Sequence, residues 1–205
     1  MTPDKLHEKL AYKLVASPIG MLKLVASTKG LVAILWENDK PRRVRLAGEV
    51  EEALHPVLVR TEIELSEYFA GKRDKFSVPL DMRGTTFQKQ VWQALLAIPF
   101  GETRTYSNLA NRLGNPAATR AVGAANGRNP IAIVVPCHRV IGATGSLTGF
   151  AGGLQAKAHL LNLEGANIRK LSVVVDKPDA GNPQLSFMLG TTHSPSSQQS
   201  AIPSK

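Results

Sequence analysis

Three short β-rich runs near the start of the chain, Tyr12–Ala16, Met21–Ala26 and Leu31–Trp36, are separated only by Ser17-Pro18-Ile19-Gly20 and Thr28-Lys29-Gly30. Connections this short suit hairpins and leave no room for a crossover, so the runs are expected to form a small antiparallel meander. Leu46–Leu54 and Val57–Phe69 then carry spaced apolar residues between acidic and basic faces and predict two helices, the second stopped by Gly71. Val78-Pro79-Leu80 reads as a linker or short strand leading out of this first region.

From Thr85 the pattern becomes helical. Thr85 and Gln88 are spaced as a capping box, Phe87, Val91 and Leu95 recur along one face, and Pro99 ends the segment. A second helix is expected over Tyr106–Leu113 with Gly114 as its exit. Asn115 stands as an N-cap before Pro116 and opens a third helix running to about Asn126. Two short helices across a Gly-Asn-Pro turn make a helix-turn-helix. Ile131–Val135 reads as a buried strand cut off at Pro136, presenting Cys137-His138-Arg139-Val140 beyond its end. A glycine-rich loop follows over Gly142–Gly153, and Leu154–Leu163 forms a closing helix stopped by Gly165. Beyond about Pro178 the chain is rich in Ser, Pro, Gln and Gly and is expected to be a disordered tail.

With 205 residues and 43% apolar content, the chain can bury one generous core or two small ones. Its 25 Lys and Arg against 16 Asp and Glu give a net charge of +9, which attracts polyanions such as nucleic acid or an anionic membrane surface. No apolar run approaches the roughly 18 residues of a membrane span. The charged start, Met1–Leu10, lacks the features of a secretion signal, so an intracellular location is expected, cytoplasmic or nuclear. The one cysteine excludes an intramolecular disulfide and a multi-cysteine zinc cluster. His7, His55, His138, His159 and His193 show no HExxH or comparable spacing, so neither a metal nor a cofactor is expected.

Cys137 therefore matters as a thiol, and the imidazole that follows it suggests a nucleophile deprotonated with the help of a base. Adjacent side chains on extended backbone point opposite ways, so a water relay or a bent loop would have to connect His138 with Cys137.

Pro136-Cys137-His138-Arg139-Val140, preceded by Gly127-Arg128-Asn129-Pro130, resembles the active-site signature of the O6-alkylguanine-DNA alkyltransferases. The likeness extends from about Phe87 to Gly165 through Tyr106-Ser107, Ala118–Gly123 and Gly149–Leu154, in the family's order. It implies that Cys137 accepts an alkyl group from guanine O6 in DNA and is consumed, with His138 acting as base through a bound water and Glu164 orienting the imidazole. Arg120 would insert into the base stack, and Tyr106 would crowd the 3′ phosphate and hydrogen-bond the flipped base. Arg128 flanks the third helix, which in the family enters the minor groove and reads shape. The small residues Ala117, Ala118, Ala121, Gly123, Ala124 and Ala125 suit that approach, and a tight helix contact is the alternative reading. Asn129 would tie the helix-turn-helix to the active-site loop. Main chain near Cys137 and Val140 would accept from the guanine amino group, and the loop around Phe150 and Ala151 would cover the alkyl group. These last two stand where some relatives carry tyrosine and serine.

The resemblance thus implies an α/β N-terminal domain with a small antiparallel sheet and helices (10–80) and a mainly helical winged-helix-like alkyltransferase domain (81–170), while an N-terminal arm (1–9) and, from its composition, a disordered tail (171–205) are expected outside it. The partner would be duplex DNA carrying O6-alkylguanine, with O4-alkylthymine left open. A monomer is expected, cooperative assembly on DNA also being left open. A non-catalytic lesion-binding protein, a sequence-reading regulator and a turnover cysteine hydrolase are the competing readings.

Overall fold

The computed structural model describes residues 9–37, 39, 43–46 and 48–166. The tail beyond 171, the arm up to residue 8 and the last residues assigned to the second domain lie outside them.

β1 (Leu10–Ser17), β2 (Gly20–Ser27) and β3 (Gly30–Trp36) form the expected antiparallel meander, with Val15 opposite Leu22 and Leu24 opposite Ile34. A fourth strand, β4 (Glu49–Glu51), pairs in parallel with β1, giving the order β3-β2-β1-β4. The sheet is therefore mixed, and the helix expected over Leu46–Leu54 does not form. Gly48 adopts a left-handed φ of 74° at its start, and Glu49-Val50-Glu51 lies extended along the sheet edge with Glu49 paired to Lys23. Both faces of the meander are covered. Leu22, Leu24, Leu31 and Ile34 join the main core, whereas Leu10, Val25, Val32 and Ala33 pack under Val44 and Leu46.

α1 (Pro56–Phe69) begins with proline in its first turn, where the absent N–H costs nothing, and turns Leu58, Leu65 and Tyr68 into the main core. The linker then runs beside β3. Leu31 N donates to Pro79 O at 2.8 Å and Asp81 N returns a bond to Leu31 O. A Cβ on Gly30 would stand 2.5 Å from Pro79 O, so this approach requires glycine.

α2 (Thr86–Leu96) carries the expected capping box, both halves of which are formed by Thr85 and Gln88. α3 (Tyr106–Arg112) has a second box from Thr105 and Asn108, which the sequence reading did not identify. The next helix starts later than expected. Pro116–Ala118 is a 3₁₀ turn without a side-chain cap from Asn115, and α4 spans Thr119–Gly127. β5 (Arg104–Thr105) and β6 (Val140–Ile141) pair in parallel as a two-residue ladder beside the helix-turn-helix, and α5 (Gly153–Leu163) closes this part of the chain.

Candidate active site

Ile131–Val135 is buried throughout, as expected, but it is not a strand. Ile131 bridges to Ile34 of β3, after which the chain turns back so that Val135 N donates to Ile131 O at 2.8 Å. Ile133 lies at the bend with φ 74°. Asn129 spans this turn from inside. Its Nδ2 donates to Val135 O at 2.8 Å and its Oδ1 accepts from Ile131 N at 3.1 Å. From the first half of the chain, Arg43 donates to the Asn129 carbonyl while paired with Asp39. The turn thus delivers Cys137 into a 3₁₀ turn, Cys137–Arg139, with the thiol buried.

Burial pushes the Cys137 thiol up from its ordinary range, and the Asn129 hydrogen bond and the charges of Lys157 and Arg43 only partly offset this. The resting cysteine is accordingly a thiol that needs a base.

The imidazole that follows Cys137 in sequence, His138, is fully buried. His138 Nε2 lies 2.8 Å from Glu164 Oε1. Glu164 also accepts from Tyr68 Oη at 2.7 Å, from Arg139 Nε and Nη2 at 2.8 and 2.9 Å, and from Gly101 N at 3.3 Å. Burial alone would raise the Glu164 carboxyl, but the hydrogen bonds and charges of His138 and Arg139 win and hold it at about 2. A carboxylate can only accept, so His138 Nε2 carries the proton of this contact. Burial lowers His138 despite the pull of Glu164, which keeps the imidazole neutral. Its Nδ1 is then an acceptor, and it is buried without a protein partner.

Beneath the cysteine turn, the fully buried Lys157 of α5 donates to Val140 O and to Thr148 O, the latter at 2.7 Å. It contacts no carboxylate through these bonds, and desolvation lowers it to about 8 although Cys137 pulls the other way. Thr148 Oγ1 in turn lies 3.1 Å from Tyr106 Oη, so the tyrosine is tied to the glycine-rich loop. Phe150 and Ala151 of that loop are half-buried against the main core, and the Phe150 ring lies 6.3 Å from the His138 ring, edge on.

The structure therefore brings Cys137, His138, Glu164, Asn129 and Val140 into one buried neighbourhood with the half-buried Phe150, Tyr106 and Ala151 at its side. Arg120 and Arg128 do not join it. Both are exposed near opposite ends of α4. That helix divides its small residues between two tasks. Ala121 and Ala124 face outward, whereas Ala125 packs inward and its carbonyl accepts from Trp92 Nε1 at 2.9 Å. Four further residues of the neighbourhood, Tyr68, Arg139, Lys157 and Arg43, had no role in the sequence reading. Arg139 lies within the signature itself, but the other three come from remote segments and carry no local signal.

Two family models match the chain. The 6-O-methylguanine DNA methyltransferase ribonuclease-like domain covers residues 10–82 and the DNA binding domain of the same family covers residues 86–166. The methylated-DNA--protein-cysteine methyltransferase of Mycobacterium leprae is 60% identical over 148 residues, covering 72% of this chain and 88% of that protein. Its namesake in Methanosarcina mazei is 48% identical over 158 residues, covering 77% and 99%. Among solved structures, Mycobacterium tuberculosis OGT in complex with DNA superposes with a TM-score of 0.70 at 44% identity, covering 78% of this chain and 98% of that one.

Proposed function

The chain belongs to the 6-O-methylguanine DNA methyltransferase family, and on that premise we propose a residue-level mechanism for its alkyl transfer and a preference for O6-alkylguanine in duplex DNA. The protein acts in DNA repair by moving an alkyl group from DNA onto its own cysteine, and Cys137 is the sole cysteine. The transfer is a direct displacement. The thiolate of Cys137 attacks the carbon bonded to O6, the carbon–oxygen bond breaks, and the guanine leaves with its oxygen restored. The product is a thioether, so each molecule acts once.

His138 supplies the base. The observation that carries this reading is the buried and unpartnered Nδ1 of the residue that follows Cys137, whose thiol burial keeps protonated. A water between the two relays the proton from Sγ to Nδ1, and Glu164 stabilises the imidazolium that results. The same neutral imidazole and anchored carboxylate resemble the base and orienting group of other buried relays, with the difference that nothing restores the nucleophile afterwards.

Extrusion of the nucleotide falls to α3 and α4. Arg120 stands exposed where it can fill the vacated stack, Arg128 contacts the backbone, and the outward Ala121 and Ala124 let the helix lie close to a groove. Tyr106 donates to the flipped base after leaving Thr148, Val140 presents its carbonyl to the guanine amino group, and Phe150 and Ala151 cover the alkyl group. Asn129 holds the turn that joins the two machineries. The protein works as an intracellular monomer, and the division near residue 80 separates a supporting domain from the DNA-binding one.

Intact-mass spectrometry after incubation with an equimolar duplex containing one O6-methylguanine tests the reading. One added methyl group, mapped to Cys137 and saturating at one per protein, is the expected result. Cys137→Ala should bind the same duplex without a mass shift. Binding by the unaltered protein with no mass shift would overturn transfer and leave a lesion-binding protein.

A further inference from the structure

Trp36 is the last residue of β3, in the first half of the chain, yet its indole reaches the glycine-rich loop of the second. Its ring centroid lies 5.2 Å from that of Phe150 in an edge-to-face arrangement. Behind Phe150 the fit is tighter. A Cβ built on Gly152 would fall 2.5 to 2.8 Å from the indole atoms Cε2, Nε1 and Cζ2, so the loop touches the ring with bare backbone. Trp36 is 8% exposed, and its Nε1 is buried without a hydrogen-bond partner. A buried N–H left unanswered is costly, so the indole is held by its shape and not by its polar atom.

The Phe150 ring also lies edge on to His138, with ring centroids 6.3 Å apart. Phe150 thus meets a ring from each half of the chain, Trp36 of the first and His138 next to Cys137 of the second. Phe150 cannot shift toward Trp36 while the indole fills that space, because a packed interior yields little to an added group.

We propose that Trp36 is a specificity-determining residue, a fixed wall behind Phe150 that limits the size of the alkyl group delivered to Cys137. The inference rests on the reading of Phe150 as the cover of the alkyl group. In this arrangement the first domain contributes to substrate selection through one side chain, and Gly152 is required to be glycine so that the loop can seat against it. Small alkyl groups fit in front of Phe150 as it stands, whereas a benzyl group needs the ring to move back.

The test compares transfer rates to Cys137 from duplexes carrying O6-benzylguanine and O6-methylguanine, read as their ratio. Trp36→Ala opens the space behind Phe150, and Trp36→Leu does so while keeping the core filled should the alanine variant fold poorly. Both are expected to raise the benzyl-to-methyl ratio at least about tenfold, since even one methylene in an apolar pocket changes discrimination by about that much. Trp36→Phe keeps a ring and opens less space, so its ratio should rise by less than in Trp36→Leu. A ratio that is unchanged or falls in both Trp36→Ala and Trp36→Leu overturns the proposal, as does an equal rise in Trp36→Phe. Phe150→Ala separates the two layers of the argument. If it shifts the ratio and the Trp36 variants do not, only the wall is wrong. If none shifts it while Cys137 still takes the methyl group, the reading of Phe150 fails as well.

Discussion

Glu164 Oε1 lies 2.8 Å from His138 Nε2, and neither side chain has any exposed surface. The same carboxylate takes two bonds from Arg139 and one from Tyr68. Tyr68 belongs to α1 and the others to the second half of the chain, so one buried anion unites both.

A pH dependence of stability follows from that anion. Glu164 is held at about 2 against an ordinary 4.5. A depressed carboxyl contributes stability that is present above its unfolded pKa and lost as the pH falls through the folded one, here between about 4.5 and 2. The loss is on the order of 3 kcal/mol. Urea denaturation at pH 7, 4 and 3 should show it in the original protein and not in Glu164→Gln. Equal losses in both would remove Glu164 as the source.

Arg120 is expected to serve extrusion alone. Arg120→Ala should slow repair in duplex DNA by about tenfold or more, since turning a nucleotide out of the stack costs a few kcal/mol. Attack on the free alkylated base should change by less than about twofold, because nothing has to be extruded. Equal slowing on both substrates would place the arginine elsewhere in the mechanism.

Asn129→Ala leaves the buried Ile131 N–H without its partner and removes one of the two donors to Val135 O, the other being Cys137 N. An orphaned group of this kind costs roughly 1–3 kcal/mol, so the variant should lose about that much by chemical denaturation. Whatever remains folded should transfer slowly, because the bend that presents Cys137 is no longer fixed. A fully active variant of unchanged stability would contradict the bridging role.

Lys157 provides a signature at the opposite end of the pH scale. Its folded pKa of about 8 lies below the ordinary 10.5, so between these values the unfolded chain binds more protons than the folded one. Stability relative to Lys157→Met should therefore rise from pH 8 toward 10.5, by on the order of 3 kcal/mol. Differential scanning of the two proteins across that range measures it, and parallel curves would show that the lysine is not buried as a cation.

Much of this architecture is legible in the residues because local chemistry agrees with it. The Thr85–Gln88 box, the short turns of the meander and Gly165 after α5 each act within a few positions of where they stand. The segment 46–54 misleads because Glu49-Val50-Glu51 is too short for a two-residue period to outweigh a helical one, and its strand exists only because Leu10–Tyr12 offers an edge. Asn115 misleads in another way, since a favourable cap residue before proline opened a 3₁₀ turn instead of the helix. At the site, Cys137, His138 and Asn129 are adjacent in a motif and readable from it. Tyr68 is 96 residues from Glu164 and Arg43 is 86 from Asn129, distances at which only the folded chain brings partners together.

Ile133 has consequences beyond its own bend. A β-branched residue at φ 74° disfavours its conformation by roughly 1–3 kcal/mol and adopts it only where its surroundings insist. Here the insistence comes from the burial of its side chain, from Asn129 across the turn and from the β3 edge that receives Ile131. The signature that follows is consequently not portable. Grafted onto another scaffold, the same pentapeptide would relax, and its thiol and imidazole would lose the burial that this fold gives them.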